Sequence, residues 1–278
     1  LPNTDERSIP QSTAERLYLK DQRLLGSVSS FEKFNQCQYA YFLSYGIRIR
    51  PLEQFTMEVN TVGLVLHSVM EQLIRKYGKH YYRVTDSELV EILDEQLHDF
   101  YSTHHYQPTI IAMVEQSLFR QLKLFLQAMA SYEKGSVMEP VLVEHQFTYD
   151  YDFGVTLRGV IDRIDCYSPD GLYSVIDYKT SGKQFSALEF VYGLQLQLVT
   201  YLMIVSRELG QPLGAAYQSL QPKLLRCPAF EMKTAKAKGM DELLEKKRSL
   251  SRDLLLMPPM LPGENESTLF RETVGAQR

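Results

Sequence analysis

Two aspartates interrupt apolar stretches of this sequence, and a lysine closely follows the second of them. Asp162 ends the triplet Val-Ile-Asp, and Asp177 and Lys179 belong to the run Val-Ile-Asp-Tyr-Lys. An unpaired carboxylate near a protein core is costly, so each aspartate needs a positive partner, either an arginine or a metal ion. Because side chains alternate across a strand, Asp177 and Lys179 are expected on the same face of a sheet.

The loop between the two runs decides how the aspartates face each other. The sequence Ser-Pro-Asp-Gly at 168–171 fits a type I turn. If all four residues form the loop, Tyr167 pairs with Leu172, and Asp162 then lies opposite Asp177. A three-residue loop with a bulge at the glycine would break this register.

Two carboxylates directly opposite each other repel. With a lysine beside them, they form an oxygen-rich site suited to Mg²⁺ or Mn²⁺. Such an ion polarises a phosphoryl oxygen and lowers the pKa of a water molecule, and the lysine can orient or deprotonate that water or stabilise developing negative charge. Alternatively, Asp177 and Lys179 form a surface ion pair that contributes little.

Two further side chains are candidate metal ligands. His67 lies on a predicted helix beside Met70 and Ile74, partly off the apolar stripe, and is either a third ligand or a structural histidine. Glu144 lies one predicted strand before Asp162 and is a possible fourth acid near the site.

Gln197 and Tyr201 form a polar pair on the helix that follows the strands. Their i, i+4 spacing projects them together. The pair can reach a phosphate or the lysine, or it is a satisfied polar pair in a mostly apolar helix.

The rest of the sequence predicts the elements that position these side chains. Periodicity favours helices over 27–46, 61–78, 86–101, 109–134 and 187–209, and strands over 141–149, 155–167, 172–179 and 214–220. Ser29 or Ser30 is the expected cap of the first helix, and Asp86 or Ser87 that of the third. This order predicts an α/β fold: a mixed β-sheet flanked by helices, with a helical insertion at 81–135 before the central strands. Residues 1–26 are expected to form an arm with a short helix around 14–20, residues 27–220 the core, and residues 221–278 a helical extension and Pro-rich tail.

Composition sets broader limits on function. The 278 residues are 44% hydrophobic, which is ordinary for a globular protein that can bury a full core. The net charge of −4 argues mildly against a general nucleic-acid binder. It leaves room for a local basic groove, or for ordinary surface charge, at Arg48, Arg50, Lys179, Lys183, Lys233, Lys236 and Lys238.

The three cysteines and the apolar runs indicate a cytoplasmic protein. Cys37, Cys166 and Cys227 are far apart and form no C-x-x-C pair. Such sparse cysteine is typical of reduced cytosolic thiols. No apolar run approaches the roughly 18 residues that a membrane span needs, and the sequence shows no signal peptide.

Four short motifs follow one another in an order that resembles one nuclease family. They are Gly63-x-x-x-His67, Gly159-x-x-Asp162, Asp177-x-Lys179 and Gln197-x-x-x-Tyr201. The ordered set resembles the RecB-like branch of the PD-(D/E)XK nucleases. The stretches at 27–49 and 177–202 further resemble the C-terminal nuclease domain of AddB (RexB) subunits of bacterial AddAB/RexAB helicase–nucleases. The resemblance extends over roughly residues 27–220.

The resemblance implies a restriction-endonuclease-like fold and a role for each motif residue. His67, Asp162 and Asp177 would bind Mg²⁺ or Mn²⁺, and Lys179 would act in catalysis together with the two aspartates. Gln197 and Tyr201 would support the site. The substrate would be a DNA single strand fed from an unwound duplex end by an AddA/RexA-type helicase subunit, during double-strand break processing and recombinational repair.

The sequence departs from the family pattern at its cysteines. Many members hold an iron–sulfur cluster with one cysteine at the position of Cys37 and a tight trio near the C-terminus. The trio is missing here, so either this lineage lacks the cluster or the trio is absent from this chain. No iron–sulfur cluster is expected in this chain. A long helicase-like N-terminal part and a Walker A motif are also missing, so this chain is not expected to hydrolyse ATP.

Two alternative functions are considered beside an AddB-type exonuclease domain. One is a stand-alone RecB-like nuclease of the CRISPR-associated kind, and the other is an inactive DNA-binding module. The absent cysteine trio and the first residue, Leu1 instead of Met, favour the AddB type over the stand-alone enzyme. The intact Asp162, Asp177 and Lys179 favour an active enzyme.

Overall fold

The computed structural model describes residues 8–49, 59–103, 108–180, 182–220 and 254–256. Its helices are α1 (Gln11–Tyr18), α2 (Val28–Gln36), α3 (Gln38–Tyr41), α4 (Val59–Tyr77), α5 (Asp86–Thr103), α6 (Pro108–Gly135), α7 (Ala187–Val191) and α8 (Gln197–Glu208), with a π-helical segment at Phe42–Gly46 and a 3-10 segment at Gly78–Arg83. Its strands are β1 (Leu19–Lys20), β2 (Arg23–Ser27), β3 (Glu139–Tyr151), β4 (Val155–Tyr167), β5 (Leu172–Lys179), β6 (Gln211–Ser219) and β7 (Leu254–Leu256).

Strand β4 is the centre of a single mixed sheet. The strands run in the order β1-β2-β4-β5-β6-β7, and β3 pairs with the other edge of β4. β4 is antiparallel to β3 and β5 and parallel to β2, and β5 is parallel to β6. The predicted mixed sheet flanked by helices is confirmed.

The β4–β5 hairpin has the register expected from its turn. Tyr167 pairs with Leu172, and the same register continues to Arg163 and Ile176. All four residues at 168–171 therefore form the loop, as predicted.

Two hydrophobic clusters pack on the sheet. The first joins α4, α5 and α6, and its members include Leu66, Val69, Leu73, Leu93, Leu122 and Tyr178. The second joins the strands to α8, and its members include Phe147, Ile161, Ile164, Val175, Leu198 and Leu202. The apolar stripe predicted for 61–78 is buried in the first cluster together with residues of α5 and α6, so α4 and the helical insertion cover one face of the sheet.

The N-terminal residues differ from the expected arm. After α1, residues 19–27 form β1 and β2, and β2 pairs with β4 from Leu24↔Val155 to Ser27↔Arg158. The apolar run Leu24–Leu25 is too short to show strand alternation, which is why the sequence did not reveal these strands.

The first predicted helix is shorter than expected and has a different cap. Ser27 caps α2: its hydroxyl accepts a hydrogen bond from Ser30 N, and Ser30 Oγ accepts one from Ser27 N. The helix breaks at Cys37, where the backbone is extended. The third predicted helix is likewise capped by Thr85, whose hydroxyl accepts from Glu88 N, and not by Asp86 or Ser87.

The single helix predicted over 187–209 is wrong, because a turn divides it into α7 and α8. Gly193 has φ +70°, in the left-handed region that favours glycine, and its carbonyl accepts a hydrogen bond from the Asn35 amide at 3.0 Å. The Gln195 amide group then ties the turn to Ser186 N and Gln184 O. A contact to α2 thus overrides the local helical periodicity.

Most residues after 220 lie outside the described part of the chain. The predicted C-terminal helical extension, Cys227 and the basic positions Lys233, Lys236 and Lys238 belong to this group. Within the described ranges, no helix combines the length and apolar character needed to cross a membrane.

Candidate metal centre and active site

The candidate site lies where two strands leave a gap along one edge of β4. β2 pairs with β4 as far as Arg158, and β5 pairs with it from Arg163 onward. In the described ladders, residues 159–162 of β4 have neither strand as a partner on that edge. We call this unpaired stretch the β4 fork. Asp162 lies at the fork, and its Oδ2 accepts a hydrogen bond from Tyr178 N at 2.7 Å.

The motif glycine in Gly-x-x-Asp has a packing reason. A Cβ built on Gly159 would lie 2.6 Å from the Phe147 ring, closer than a side chain can approach. The Phe147 ring in turn meets the Tyr201 ring edge to face, with 5.9 Å between the ring centroids. Glycine at this position therefore lets β3 and α8 approach β4 next to Asp162.

His67 reaches the fork from α4. Its Nδ1 lies 3.4 Å from Asp162 Oδ2, and its ring packs edge to face on Tyr178. Burial lowers the pKa of His67, but the hydrogen bond and the charge of Asp162, with the charge of Asp177, raise it above its ordinary value overall. The imidazole lies in a field of negative charge.

Glu144 completes a group of possible metal ligands. His67, Glu144 and Asp162 each offer one ligand atom, and these atoms all lie within 4.8 Å of one another. Burial raises the pKa of the Glu144 carboxyl, and the charges of Asp162 and Glu71 raise it further. Crowded carboxylate oxygens with an imidazole nitrogen fit a divalent cation such as Mg²⁺ or Mn²⁺.

Asp177 and Lys179 form an ion pair beside this group. Asp177 is 1% exposed, and its Oδ2 contacts Lys179 Nζ, whose side chain is 22% exposed. Burial raises the pKa of Asp177 to about 6, against the opposing effect of Lys179, and the charge of Asp162 adds to the rise. Asp177 does not belong to the group with ligand atoms within 4.8 Å. In this structure its nearest cation is the lysine.

The polar pair on α8 projects together, as its spacing predicted. Gln197 Nε2 donates a hydrogen bond to Tyr201 Oη at 3.0 Å. Burial raises the pKa of Tyr201, and the charge of Asp177 adds to the rise, so the hydroxyl stays protonated next to the acids. Glu32 Oε1 fixes the start of α8 by accepting hydrogen bonds from Leu196 N and Gln197 N.

Tyr217 on β6 was missed by the sequence interpretation. Its ring lies below both Lys179 Nζ, at 5.4 Å, and Lys183 Nζ, at 5.1 Å. A ring that two ammonium groups approach helps to hold the catalytic candidate Lys179 in place. A single tyrosine in an apolar strand gave no signal of this role.

A second charged group lies next to the first along β4. Arg163 binds Asp165 through two hydrogen bonds, of 2.5 and 2.7 Å, and Glu133 at 3.1 Å. Its guanidinium also stacks over the Tyr81 ring, and the Tyr81 hydroxyl donates to Glu133. All three charged side chains are at most 5% exposed, so this is a structural network within the core.

The chain matches known nucleases over most of its length. Residues 26–265 match the PD-(D/E)XK nuclease superfamily. A similar curated protein of Clostridium botulinum is 29% identical, over 68% of this chain and 18% of the relative. One of Lachnoclostridium phytofermentans is 25% identical, over 88% of this chain and 22% of the relative. One of Oenococcus oeni is 29% identical, over 75% of this chain and 20% of the relative. Each is named as one subunit, designated B, of an ATP-dependent helicase/deoxyribonuclease. The chain spans about a fifth of the length of these relatives. The resemblance drawn from the ordered motifs is confirmed.

Proposed function

We propose that this chain, which belongs to the PD-(D/E)XK nuclease superfamily, is the Mg²⁺-dependent DNA exonuclease domain of an AddB/RexB-type helicase–nuclease subunit. One observation carries the proposal: the ligand atoms of His67, Glu144 and Asp162 gather next to the buried Asp177–Lys179 pair. The relatives' name joins a helicase to a deoxyribonuclease, which supports DNA as the substrate.

The charge balance of the site supports a metal-dependent reaction. Glu144, Asp162 and Asp177 are three carboxylates, and Lys179 is the one fixed cation that contacts them among the described residues. His67, Asp162 and Asp177 would hold Mg²⁺ or Mn²⁺, which would supply charge relief at a phosphoryl oxygen and lower the pKa of the attacking water.

Lys179 is the residue best placed to act on the reacting groups. It is part exposed, whereas its partner Asp177 is fully buried, so the ammonium group can face substrate while Asp177 holds it. There it would donate a hydrogen bond that orients the attacking water and would stabilise negative charge on the phosphoryl oxygens. The water gives up a proton to solvent as its oxygen forms the new bond to phosphorus, the ester P–O bond breaks, and the leaving oxygen takes up a proton from solvent.

Gln197 and Tyr201 would position these groups from α8. The Tyr201 hydroxyl stays protonated beside Asp177, so it can offer a hydrogen bond to a carboxylate or a phosphate. Gln197 holds that hydroxyl, and Glu32 fixes the turn of helix on which Gln197 lies.

The names of the relatives support a biological setting for this chain. Their name designates one subunit of a larger enzyme, which implies a partner. We infer an AddA/RexA-type helicase that feeds one strand of an unwound duplex end during double-strand break processing and recombinational repair. Gel filtration with and without such a helicase subunit separates this setting from a stand-alone nuclease. Co-elution supports the first, and separate elution with full activity supports the second.

A cleavage assay tests the catalytic proposal. Linear DNA should be degraded with Mg²⁺ and not with EDTA. Lys179→Ala should slow cleavage by about 10²–10⁴-fold while leaving DNA affinity nearly unchanged. Lys123→Ala, which removes an exposed ion pair between α6 and the start of α5, is the matched control and should cut at the wild-type rate. DNA binding without cleavage by the wild type would instead favour the inactive binding module.

A further inference from the structure

Lys183 and Lys179 approach the same aromatic ring. The Tyr217 ring centroid lies 5.4 Å from Lys179 Nζ and 5.1 Å from Lys183 Nζ. Because both distances end at one centroid, the two ammonium nitrogens cannot lie further apart than these distances together. Lys183 belongs to none of the four sequence motifs, so the roles assigned to those motifs do not account for the second ammonium group.

The two lysines differ in their charged partners. Lys179 Nζ contacts the buried Asp177 carboxylate, whereas Lys183 forms no ion pair with a carboxylate of the described residues. An aromatic ring attracts an ammonium group through its quadrupole but carries no net charge, so it holds the Lys183 head group without neutralising it. One positive charge beside the Asp177–Lys179 pair therefore remains available to an anion.

The sheet fixes the ring next to the reacting groups. Tyr217 is the register partner of Asp177 in the parallel β5–β6 ladder, so the two side chains lie side by side on one face of the sheet. Lys179 follows Asp177 by two residues and shares that face. Tyr217 is only 8% exposed, so packing restricts its ring. Lys183 therefore meets a fixed surface at the catalytic end of β5.

The connection that carries Lys183 is held in place as well. It runs from the end of β5 to the start of α7, and Lys183 is part exposed within it. The Gln195 side chain accepts a hydrogen bond from Ser186 N and donates one to the Gln184 carbonyl, directly after Lys183. Gln195 is 5% exposed, so a buried amide anchors the backbone that directs Lys183 toward the ring.

A DNA strand supplies the anion that this arrangement suits. Each nucleotide carries one negative phosphate, and a protein that tracks a single strand needs successive positive charges along it. Lysine is a compact point charge that binds phosphate. If Lys179 acts at the phosphate that is cut, a second ammonium group held at the same ring can reach a neighbouring phosphate of the same strand.

We propose that Lys183 binds the phosphate next to the one that is cut, and that the Tyr217 ring sets its position beside Lys179. This inference rests on the proposed function, because it assigns a DNA-positioning residue to the same site. Lys183 takes no part in making or breaking bonds. It holds the strand equally well before and in the transition state, so its loss should raise KM and leave kcat nearly unchanged.

The salt dependence of DNA binding tests the phosphate contact. A fluorescent oligo(dT) single strand would be titrated in EDTA at several KCl concentrations. On logarithmic axes, affinity for a single strand falls with salt by about 0.7 for each neutralised phosphate. Lys183→Met keeps the apolar stem and removes the charge, so it should weaken binding by about 10-fold and make the slope shallower by about 0.7. Lys183→Arg, which keeps the charge, should restore the wild-type slope.

Two comparisons separate this contact from a general loss of charge or structure. Lys123→Met removes the same charge from an exposed ion pair between α6 and the start of α5, and its affinity and slope should match those of wild type. With Mg²⁺, Lys183→Met should raise KM for linear DNA, whereas Lys179→Ala should lower kcat. The effect of Lys183→Met on affinity should be smaller in a Tyr217→Leu background than in a Tyr217→Phe background, which keeps the ring.

The outcomes distinguish this inference from the proposed function. If wild type cleaves DNA with Mg²⁺ but Lys183→Met leaves both the salt slope and KM unchanged, Lys183 does not bind phosphate, and the nuclease function still stands. Equal losses of affinity in the two Tyr217 backgrounds would overturn the role of the ring. Wild-type protein that neither binds oligo(dT) nor cleaves linear DNA would instead overturn the proposed function itself.

Discussion

Asp165 and Asp162 belong to the same strand, yet their carboxylates have different partners. Asp165 and Glu133 share the Arg163 guanidinium in a site that excludes water. Asp162 shares the fork with Glu144 and with His67, which carries a full charge only when protonated. Among the described residues, Asp165 and Glu133 have a permanent cation in Arg163, whereas Asp162 and Glu144 form no ion pair with a lysine or an arginine.

We expect this difference to separate a structural use of buried charge from a functional one. A guanidinium held by fixed hydrogen bonds cannot leave, so the Arg163 network has one state and joins the helical insertion to the sheet. The Asp162 group is open enough to exchange an ion, and its side chain is 12% exposed beside a 28% exposed histidine. Excess acid at such a site favours binding of a cation from solution. The comparison therefore predicts that substitutions in one group change stability and those in the other change chemistry.

The largest expected effect is the loss of DNA cleavage when the acids at the β4 fork are replaced. Asp162→Asn and Asp177→Ala should each lower the rate by about 10²–10³-fold or more, because each removes negative charge that holds the cation. Asp177→Ala should also abolish Mg²⁺ binding. Cleavage rates and calorimetric Mg²⁺ titrations check both. Equal cleavage by wild type and Asp162→Asn would remove the distinction between the two groups.

Arg163→Met should have the largest effect on folding. It leaves Asp165 and Glu133 buried without their cation, which typically costs about 3–5 kcal/mol of stability. Chemical denaturation measures the free energy of unfolding. The folded fraction should still bind Mg²⁺, and a loss of Mg²⁺ affinity equal to that of Asp162→Asn would show that the two groups are not independent.

Divalent cations should raise the stability of the wild-type chain and leave the stability of the Asp162→Asn and Asp177→Ala variants unchanged. A ligand at about 100 times its Kd stabilises by about 2.7 kcal/mol when it binds only the folded state. Mg²⁺ and Ca²⁺ should both raise the melting temperature of the wild type, but Ca²⁺ should not support fast cleavage. His67→Ala should weaken the Mg²⁺ response without unfolding the domain. A melting temperature that rises equally in wild type and Asp162→Asn would contradict this.

The pH dependence should differ between the metal-free and the metal-bound chain. The pKa of Asp177 is raised to about 6 and that of His67 is raised as well, so both hold protons more tightly when folded. The protonated Asp177 carboxyl therefore contributes stability below its ordinary pKa, and this contribution is lost as the pH rises through about 6. The protonated His67 ring contributes in the same way, and its contribution is lost as the pH rises through its raised pKa. Metal ligands must be deprotonated, so the Mg²⁺-induced rise in melting temperature should grow between about pH 5 and pH 8. A rise that shrinks over this range would argue against these ligands.

The smallest effect is expected at an ion pair outside both groups. His145 Nε2 and Glu208 Oε2 lie 2.9 Å apart between β3 and α8, and both side chains are part exposed. Glu208→Gln should therefore change the free energy of unfolding by less than about 1 kcal/mol and leave cleavage unchanged. A larger effect on cleavage would place the functional region beyond the fork.

The sequence predicted those parts of the molecule that depend on local patterns. The strand bounds of β4 and β5, the four-residue loop between them and the pairing of Gln197 with Tyr201 follow from alternation, turn residues and helical spacing. The sequence indicated Glu144 only as a possible acid near the site. Its φ of +50°, in the left-handed region, could not be predicted, because no local pattern indicates that conformation within a strand.

Contacts between distant residues could not be predicted in this way. The turn that divides α7 from α8 depends on Asn35, far away in the chain, and the cap of α8 depends on Glu32. The partner of Asp165 was equally hidden, since Glu133 lies on α6 and no spacing rule joins it to Arg163. Among the described residues, the acids of β4 therefore fall into two groups, one with an arginine partner and one without, and only the folded arrangement separates them.

The most direct test is to locate the cation. Crystals of the chain grown with MnCl₂ would be measured at the manganese absorption edge, and an anomalous difference map would give the position of the ion. The expected result is a strong peak at the β4 fork, between the ligand atoms of His67, Glu144 and Asp162 and the carboxylate of Asp177. A map with no peak at the β4 fork, from protein that cleaves DNA in the same Mn²⁺ buffer, would contradict it.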